Sequence, residues 1–219
     1  VLVCLPIHHT MLADHGEHEP TGDAPPETAA SAHLTGRERS LAMALFAAAL
    51  ALNGMVFAAI SAHVVPLFQS LRFAGEQAVT FAALIGPAQV ASRLGDIVMG
   101  RRITPMQLGL IAFGLLPLAL AIFAGGGFSM AAALVFALLY GMSNGLVTIA
   151  KGAVPLQLFG SKGYGEMLGT LAAPNLILNA LAPTLFSLLL GLTSPQAALM
   201  SAGAFAVISS LAMFWLARL

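Results

Sequence analysis

Long apolar runs, separated by short polar breaks, make up most of the chain after residue 40. A helix needs ~20 apolar residues to cross the hydrocarbon core of a bilayer, and each run is close to that length. Such runs with so few charges are typical of membrane-spanning helices. We predict six of them, at residues 41–65, 81–98, 106–124, 128–150, 167–190 and 196–216.

Residues 8–40 interrupt this pattern. They contain six of the nine acidic residues and five of the six histidines, with many Pro, Gly, Ser and Thr residues. This composition, without an apolar period, is typical of a solvated linker. Residues 1–7 are apolar and begin without Met, so we interpret them as the end of a truncated transmembrane helix and expect a C-terminal fragment of a longer protein. The predicted organisation is a helix end at 1–7, a linker at 8–40 and a six-helix bundle at 41–219.

The composition indicates an all-α membrane protein. The chain is 58% hydrophobic and 8% charged, whereas soluble domains carry about 25% charged residues. Its net charge of zero gives no reason to expect a nucleic-acid partner. The single cysteine, Cys4, excludes an intrachain disulfide. We expect neither a cofactor nor a metal ion.

The basic residues predict how the helices are oriented. Six spans place alternate loops on opposite sides of the membrane. Of the basic residues in these loops and at the ends of the bundle, Arg72 alone falls on one side. By the positive-inside rule the other side is cytoplasmic, together with the linker and the C-terminus. Seven basic residues lie on that side: Arg37, Arg39, Arg101, Arg102, Lys151, Lys162 and Arg218.

Two local patterns resemble transporters of the major facilitator superfamily. The segment G-D-I-V-M-G-R-R at residues 95–102 resembles the loop between helices 8 and 9 of that family. The segment H-V-V-P at residues 63–66 resembles the end of helix 7 in the monocarboxylate and oxalate–formate branches. Those branches carry an Arg in helix 8 that contacts the substrate carboxylate, and Arg93 is its counterpart here; Gln89 stands where the monocarboxylate branch has Asp. The loop residues that carry the resemblance are Gly95, Asp96, Gly100, Arg101 and Arg102.

This resemblance implies the C-terminal six-helix bundle of a major facilitator fold, preceded by the cytoplasmic central linker. The protein would then be a secondary active transporter, a symporter or antiporter, that moves a small solute by alternating access. An organic anion is one candidate solute. The partners would be the lipid bilayer and the missing N-terminal six-helix half, and the expected location is the bacterial inner membrane, with several membrane passes.

Arg93 has two interpretations. A charged residue inside a span normally faces a cavity or a partner, and its guanidinium could grip a substrate carboxylate through two hydrogen bonds. Alternatively, Arg93 pairs with Asp96 three residues later and anchors the cytoplasmic end of the helix.

Other polar residues at membrane depth are candidates to line the pathway or to join helices. His63 could sense protons or gate the pathway, or could be satisfied at the membrane interface. Asn175 and Asn179 share one helix face between Pro174 and Pro183. The candidate substrate-binding residues are Arg93, Gln89, Asn53, Asn175 and Asn179, and Asn144 is a further polar group at this depth.

Two other functions are kept as alternatives. G-M-S-N-G at residues 141–145 matches the G-x-S-x-G pattern of a hydrolase with Ser143 as nucleophile. The same segment also fits the small-xxx-small pattern of helix packing, as do residues 165–169. A six-span permease subunit of an ATP-driven transporter would need a cytoplasmic docking segment, for which residues 151–166 are the longest loop after the linker. The linker histidines His8, His9, His15 and His18 could bind a metal ion or could only be solvated.

Overall fold

The structure is a computed structural model that describes residues 36–99, 102–161 and 163–219. These residues form helices and no strand, which confirms the all-helical prediction for this part of the chain. The first seven residues, with Cys4, and most of the linker, with its histidines, lie outside the described residues. Gly100, Arg101 and Lys162 also lie outside them. In chain order the helices are α1 (Gly36–Ser70), α2 (Gly75–Met99), α3 (Pro105–Gly125), α4 (Met130–Phe159), α5 (Tyr164–Leu192) and α6 (Pro195–Leu216).

Each apolar run coincides with one helix, but three helices extend well beyond their runs, and α2 begins at Gly75, six residues before its run. α1 begins at Gly36, inside the segment interpreted as the linker, and continues through Pro66 to Ser70. α4 continues through Lys151 and Pro155 to Phe159. Membrane helices tolerate proline because neighbouring groups compensate for the lost backbone bond. The prediction that Lys151 lies in a long loop is therefore wrong, and residues 160–163 alone connect α4 to α5.

Five of the helices are long and apolar enough to cross a membrane, which indicates a multi-pass membrane protein. The helix that does not reach this apolar character is α2, Gly75–Met99. Gln89, Arg93 and Asp96 lie within it and lower its mean hydropathy.

Polar caps define where three of the helices begin. Thr104 accepts a hydrogen bond from the backbone of Gln107, whose side chain returns a bond to the backbone of Thr104, in a capping box ahead of α3. Ser129 and Ser194 cap α4 and α6 through their hydroxyls. Each cap lies at the end of a connection of only a few residues between two helices.

The six helices fall into two triplets, α1–α3 and α4–α6, with matching packing patterns. α1 packs mainly against α5 and α6, and α4 packs mainly against α2 and α3. α3 and α6 also pack against each other. If α1 is exchanged with α4, α2 with α5 and α3 with α6, the same main contacts result. The main partners of each helix therefore belong to the other triplet.

Two apolar cores lie toward opposite ends of the bundle. One contains the rings of Phe68, Phe123 and Phe136, and the other contains Phe46 and Phe113. Along α1, α4, α5 and α6, a buried polar residue lies between the segments that enter the two cores. We call these four residues the polar layer: Asn53, Ser143, Asn175 and Ser209.

Several side-chain hydroxyls join the helices through backbone carbonyls. Ser209 of α6 donates to the carbonyl of Ala49 in α1 at 2.7 Å. Its neighbour Ser210 donates to the carbonyl of Phe113 in α3. Pro117 has no N–H to bond that carbonyl four residues earlier, so Ser210 satisfies an acceptor that the proline leaves free.

Candidate solute-binding site

A cavity of about 380 Å³ lies beside the polar layer, between α1, α4 and α5. α4 and α5 make few contacts with each other, which leaves room between them. Its apolar lining includes Leu50, Phe57 and Val147. Its polar side chains are Asn53 and Ser61 from α1, Asn144, Thr148 and Lys151 from α4, and Asn175 and Asn179 from α5.

Asparagine side chains join α1 to α5 at this cavity. Asn179 donates through Nδ2 to Oδ1 of Asn175 at 2.7 Å, and Asn175 donates through Nδ2 to the carbonyl of Leu50 at 3.3 Å. Gly54 makes this approach possible, since a Cβ there would lie 2.6 Å from Oδ1 of Asn179. The spacing of Asn175 and Asn179, four residues apart on one face, was visible in the sequence, and the structure places both at the cavity.

Asn53 is the most unusual residue of the site. It is completely buried, and neither its Oδ1 nor its Nδ2 has a hydrogen-bond partner in the described structure. Oδ1 of Asn179 is also buried and unpartnered. A buried polar group without a partner costs about 1–3 kcal/mol. These three atoms have almost no accessible surface, so they remain unsatisfied within the helix packing rather than on the open surface of the cavity.

Basic side chains mark another part of the cavity. Lys151 lines it directly, because α4 extends past the predicted end of its span. Arg93 of α2 donates through Nη2 to Oγ1 of Thr148 at 3.3 Å, and Thr148 in turn donates to the carbonyl of Asn144 at 2.9 Å. Arg93 is therefore held beside a residue that lines the cavity.

The alternative interpretation of Arg93 required an ion pair with Asp96. In the part of the chain that the structure describes, no hydrogen bond or ion pair joins these two side chains; Arg93 turns to Thr148 on the neighbouring helix instead. The anchoring interpretation therefore loses its proposed partner. Arg93 itself is exposed, beside rather than inside the cavity lining.

Gln89 and His63 lie away from the cavity lining in the described structure. Gln89 is half-buried where α2 meets α4, and a Cβ at Gly145 would lie 2.6 Å from its backbone oxygen. His63 donates through Nδ1 to the carbonyl of Ala59 at 3.1 Å, and its ring lies 5.7 Å from that of Phe186. The ring of His63 and the backbone of Gln89 therefore lie at helix contacts rather than at the cavity.

The G-x-S-x-G segment packs helices together. Ser143 is completely buried and donates to the carbonyl of Ala112 in α3 at 2.6 Å. Gly141 and Gly145 face α2, where a Cβ on either would collide with backbone atoms. The second small-xxx-small segment differs, because a Cβ at Gly165 or Gly169 would meet nothing within 4 Å.

The predicted loop motif is described only in part. Gly95 and Asp96 lie in the last two turns of α2, and Arg102 is exposed just beyond it. Gly100 and Arg101 lie outside the described residues, as do the linker histidines. Among the described residues, no group of three or more His, Cys, Asp or Glu side chains could hold a metal ion.

Sequence analysis missed the contributions of Lys151, Thr148 and Ser61 to the cavity. Asn144, Thr148 and Lys151 follow one another at spacings of four and three residues, which places them on one helix face. That spacing was the available signal, but it becomes visible only if the helix is continued past Ala150.

No protein-family model, no curated protein and no solved structure matches this chain.

Proposed function

We propose that the chain forms six transmembrane helices of a secondary active transporter that moves a small solute by alternating access. The polar cavity beside the polar layer, in a bundle with apolar cores above and below it, is the observation that carries this proposal. A bundle with only a structural role gains most by filling its middle with apolar side chains, because unpaired polar groups are costly there. Substrate sites of such transporters lie near the middle of the membrane.

The matching triplets support the fold assignment. Each half of a major facilitator transporter contains two inverted repeats of three helices. The main contacts of α1–α3 and α4–α6 are exchanged in the same way. Two close approaches at glycine are equivalent in this scheme. Gly54 of α1 approaches the asparagines of α5, and Gly145 of α4 approaches the backbone of α2. We therefore assign the bundle to the C-terminal half of that fold.

In this assignment α2 also crosses the membrane, which brings the number of membrane helices to six. Arg93 and Asp96 lie toward its cytoplasmic end. The positive-inside rule places the linker and the C-terminus in the cytoplasm. Exposed apolar residues such as Leu176 and Ile177, which are 64% and 61% exposed, would face lipid or a second six-helix bundle. The proposed location is the bacterial inner membrane.

A transport assay tests the proposal. The full-length gene product, reconstituted into liposomes, should exchange labelled solute from a panel of organic acids, sugars and amino acids faster than protein-free liposomes. Asn179→Leu removes a cavity carboxamide and fills space, so it should lower the exchange rate at least about tenfold. Thr184→Leu is the matched control, because Thr184 lies on the same helix but is exposed and outside the cavity lining.

Two results would contradict the proposal. One is a wild-type protein that moves no solute of the panel above background. The other is an Asn179→Leu variant that moves the solute as fast as Thr184→Leu at equal reconstituted amounts.

A further inference from the structure

We propose that two tyrosine hydroxyls hold the two ends of the cavity closed, and that each one releases its partner when the cavity opens to that side of the membrane. This inference rests on the proposed transport function, because alternating access requires each end to open in turn. The chain contains two tyrosines, Tyr140 and Tyr164, and each joins two helices through its hydroxyl. We call these two connections the tyrosine links.

Tyr140 of α4 joins α1 at the end of the cavity that lies toward the apolar core containing Phe68. Its hydroxyl donates to the carbonyl of Phe57 at 2.9 Å. Oγ of Ser61, the last residue of α1 that lines the cavity, lies 2.8 Å from the same hydroxyl. Since tyrosine has a single hydroxyl proton, Ser61 is the donor in this second bond. Tyr140 itself is completely buried, so the link lies within the packing that closes this end.

Tyr164 of α5 joins α4 at the opposite end of the cavity. Its hydroxyl donates to the carbonyl of Gly152 at 2.8 Å. Gly152 directly follows Lys151, which is the last residue of α4 that lines the cavity. Tyr164 also packs against the apolar core that contains Phe46 and Phe113. The cavity therefore has a tyrosine link at each end, where it meets one of the two apolar cores.

The tyrosine links join helices that otherwise have little contact. α1 and α4 make few contacts with each other, and so do α4 and α5, because the cavity lies between them. The same helices pack extensively elsewhere, α1 against α5 and α6, and α4 against α2 and α3. A change in the separation of α4 from α1 or from α5 would therefore break few contacts other than those of the two tyrosines.

Each link can break without leaving a buried polar group unsatisfied. The carbonyls of Phe57 and Gly152 lie inside helices, where the N–H four residues later is a second donor. Water that enters an opened end can hydrate the tyrosine hydroxyl and the exposed Ser61. Opening thus exchanges hydrogen bonds within the protein for hydrogen bonds to water, a difference that is small for each bond. The links favour the closed ends but allow either end to open.

Labelling of a cavity cysteine from each side of the membrane tests the links. Ala58 lines the cavity, so Ala58→Cys in an otherwise cysteine-free full-length gene product reports access to it. An impermeant thiol reagent is added to right-side-out vesicles and, separately, to inside-out vesicles. In the proposed topology the Tyr140 end faces outward, and Tyr140→Phe should raise the labelling rate from outside at least about tenfold. Tyr164→Phe should raise it from the cytoplasmic side about fivefold, because one hydrogen bond is lost rather than two.

Each variant is the matched control for the other, since both replace a tyrosine by phenylalanine and keep the ring. Because alternating access opens one end at a time, each variant should also slow labelling from the opposite side. Ser61→Ala removes one of the two bonds at Tyr140 and should give a smaller rise from outside than Tyr140→Phe. A bundle that is only loosened by the lost hydroxyl would be labelled faster from both sides, which would overturn the inference.

The remaining outcomes separate the links from the transport function. Unchanged labelling in either variant, in a protein that exchanges solute, rejects the tyrosine links and leaves the transport function intact. The crossed pattern with its two sides exchanged supports the links and inverts the topology. A wild type that moves no solute of the panel rejects the transport function and this inference with it.

Discussion

At the scale of single residues, the structure separates polar side chains that have a hydrogen-bond partner from those that have none. Ser143 and His63 donate to backbone carbonyls, whereas Asn53 has no partner in the described structure. Sequence analysis treated these polar residues alike. An apolar run indicates that a polar residue lies within a membrane helix, but it does not indicate whether the side chain has a hydrogen-bond partner. The presence of a partner depends on the neighbouring helix, which a single sequence does not specify.

Arg93 provides the residue-scale prediction. Its planar guanidinium can hold Thr148 and a carboxylate at once, and a lysine ammonium keeps the charge but loses this geometry. A lost charge-assisted hydrogen bond is worth about 1.5–3 kcal/mol, so Arg93→Lys should weaken binding of an anionic solute about ten- to a hundredfold. Titration of wild type and variant with an organic acid that the wild type transports measures this change.

Arg72→Lys is the control for Arg93, because Arg72 is exposed in the turn between α1 and α2. This variant should bind the same organic acid with the affinity of the wild type. Equal affinities of wild type and Arg93→Lys would remove Arg93 from the site, and the cavity would then depend on Lys151 for its charge.

At the scale of helices, close approach at glycine decides which surfaces meet. Gly145 brings α4 against the backbone of α2, and Gly54 brings α1 against side chains of α5. A backbone neighbour cannot move aside as a side chain can. The contact at Gly145 is therefore the less forgiving of the two.

Gly145→Ala should consequently destabilise the protein. The added Cβ would lie 2.6 Å from the backbone oxygen of Gln89, so α2 must move away from α4. Overpacking of this kind costs about 1–3 kcal/mol. Unfolding in mixed micelles with increasing SDS measures the loss, and Gly169→Ala is the control because its Cβ would meet nothing within 4 Å. A Gly145→Ala variant as stable as Gly169→Ala would contradict this packing.

Most of the helical organisation could be predicted from the sequence, since apolar runs of membrane-spanning length leave few alternatives. α3 and α6 differ from their predicted spans by no more than one residue at either end. The prediction failed where the span was ended at Ala150, before Lys151, because a lysine can snorkel and Pro155 is accommodated within the helix. The same error hid the basic part of the cavity, whereas the asparagines were found from their depth and spacing.

At the scale of the whole molecule, the proposed topology follows from the basic residues. Ser161 is exposed between α4 and α5 and should face the cytoplasm, and Arg72 should face outward. In a Cys4→Ser background, an impermeant thiol reagent added to right-side-out vesicles should label Arg72→Cys at once. It should label Ser161→Cys only after permeabilisation, and immediate labelling of Ser161→Cys would invert the topology.

The exchange of contacts between the two triplets also has a consequence in time. α1–α3 have their main partners in α4–α6, which are encoded in residues 130–219. At about 5–20 residues per second, the ribosome needs roughly 5–20 s to complete that stretch. During this interval α1–α3 lack their main packing partners, and Arg93 lacks Thr148. The yield of folded protein therefore depends on how long the membrane's insertion and quality-control machinery protects α1–α3 before α4–α6 are synthesised.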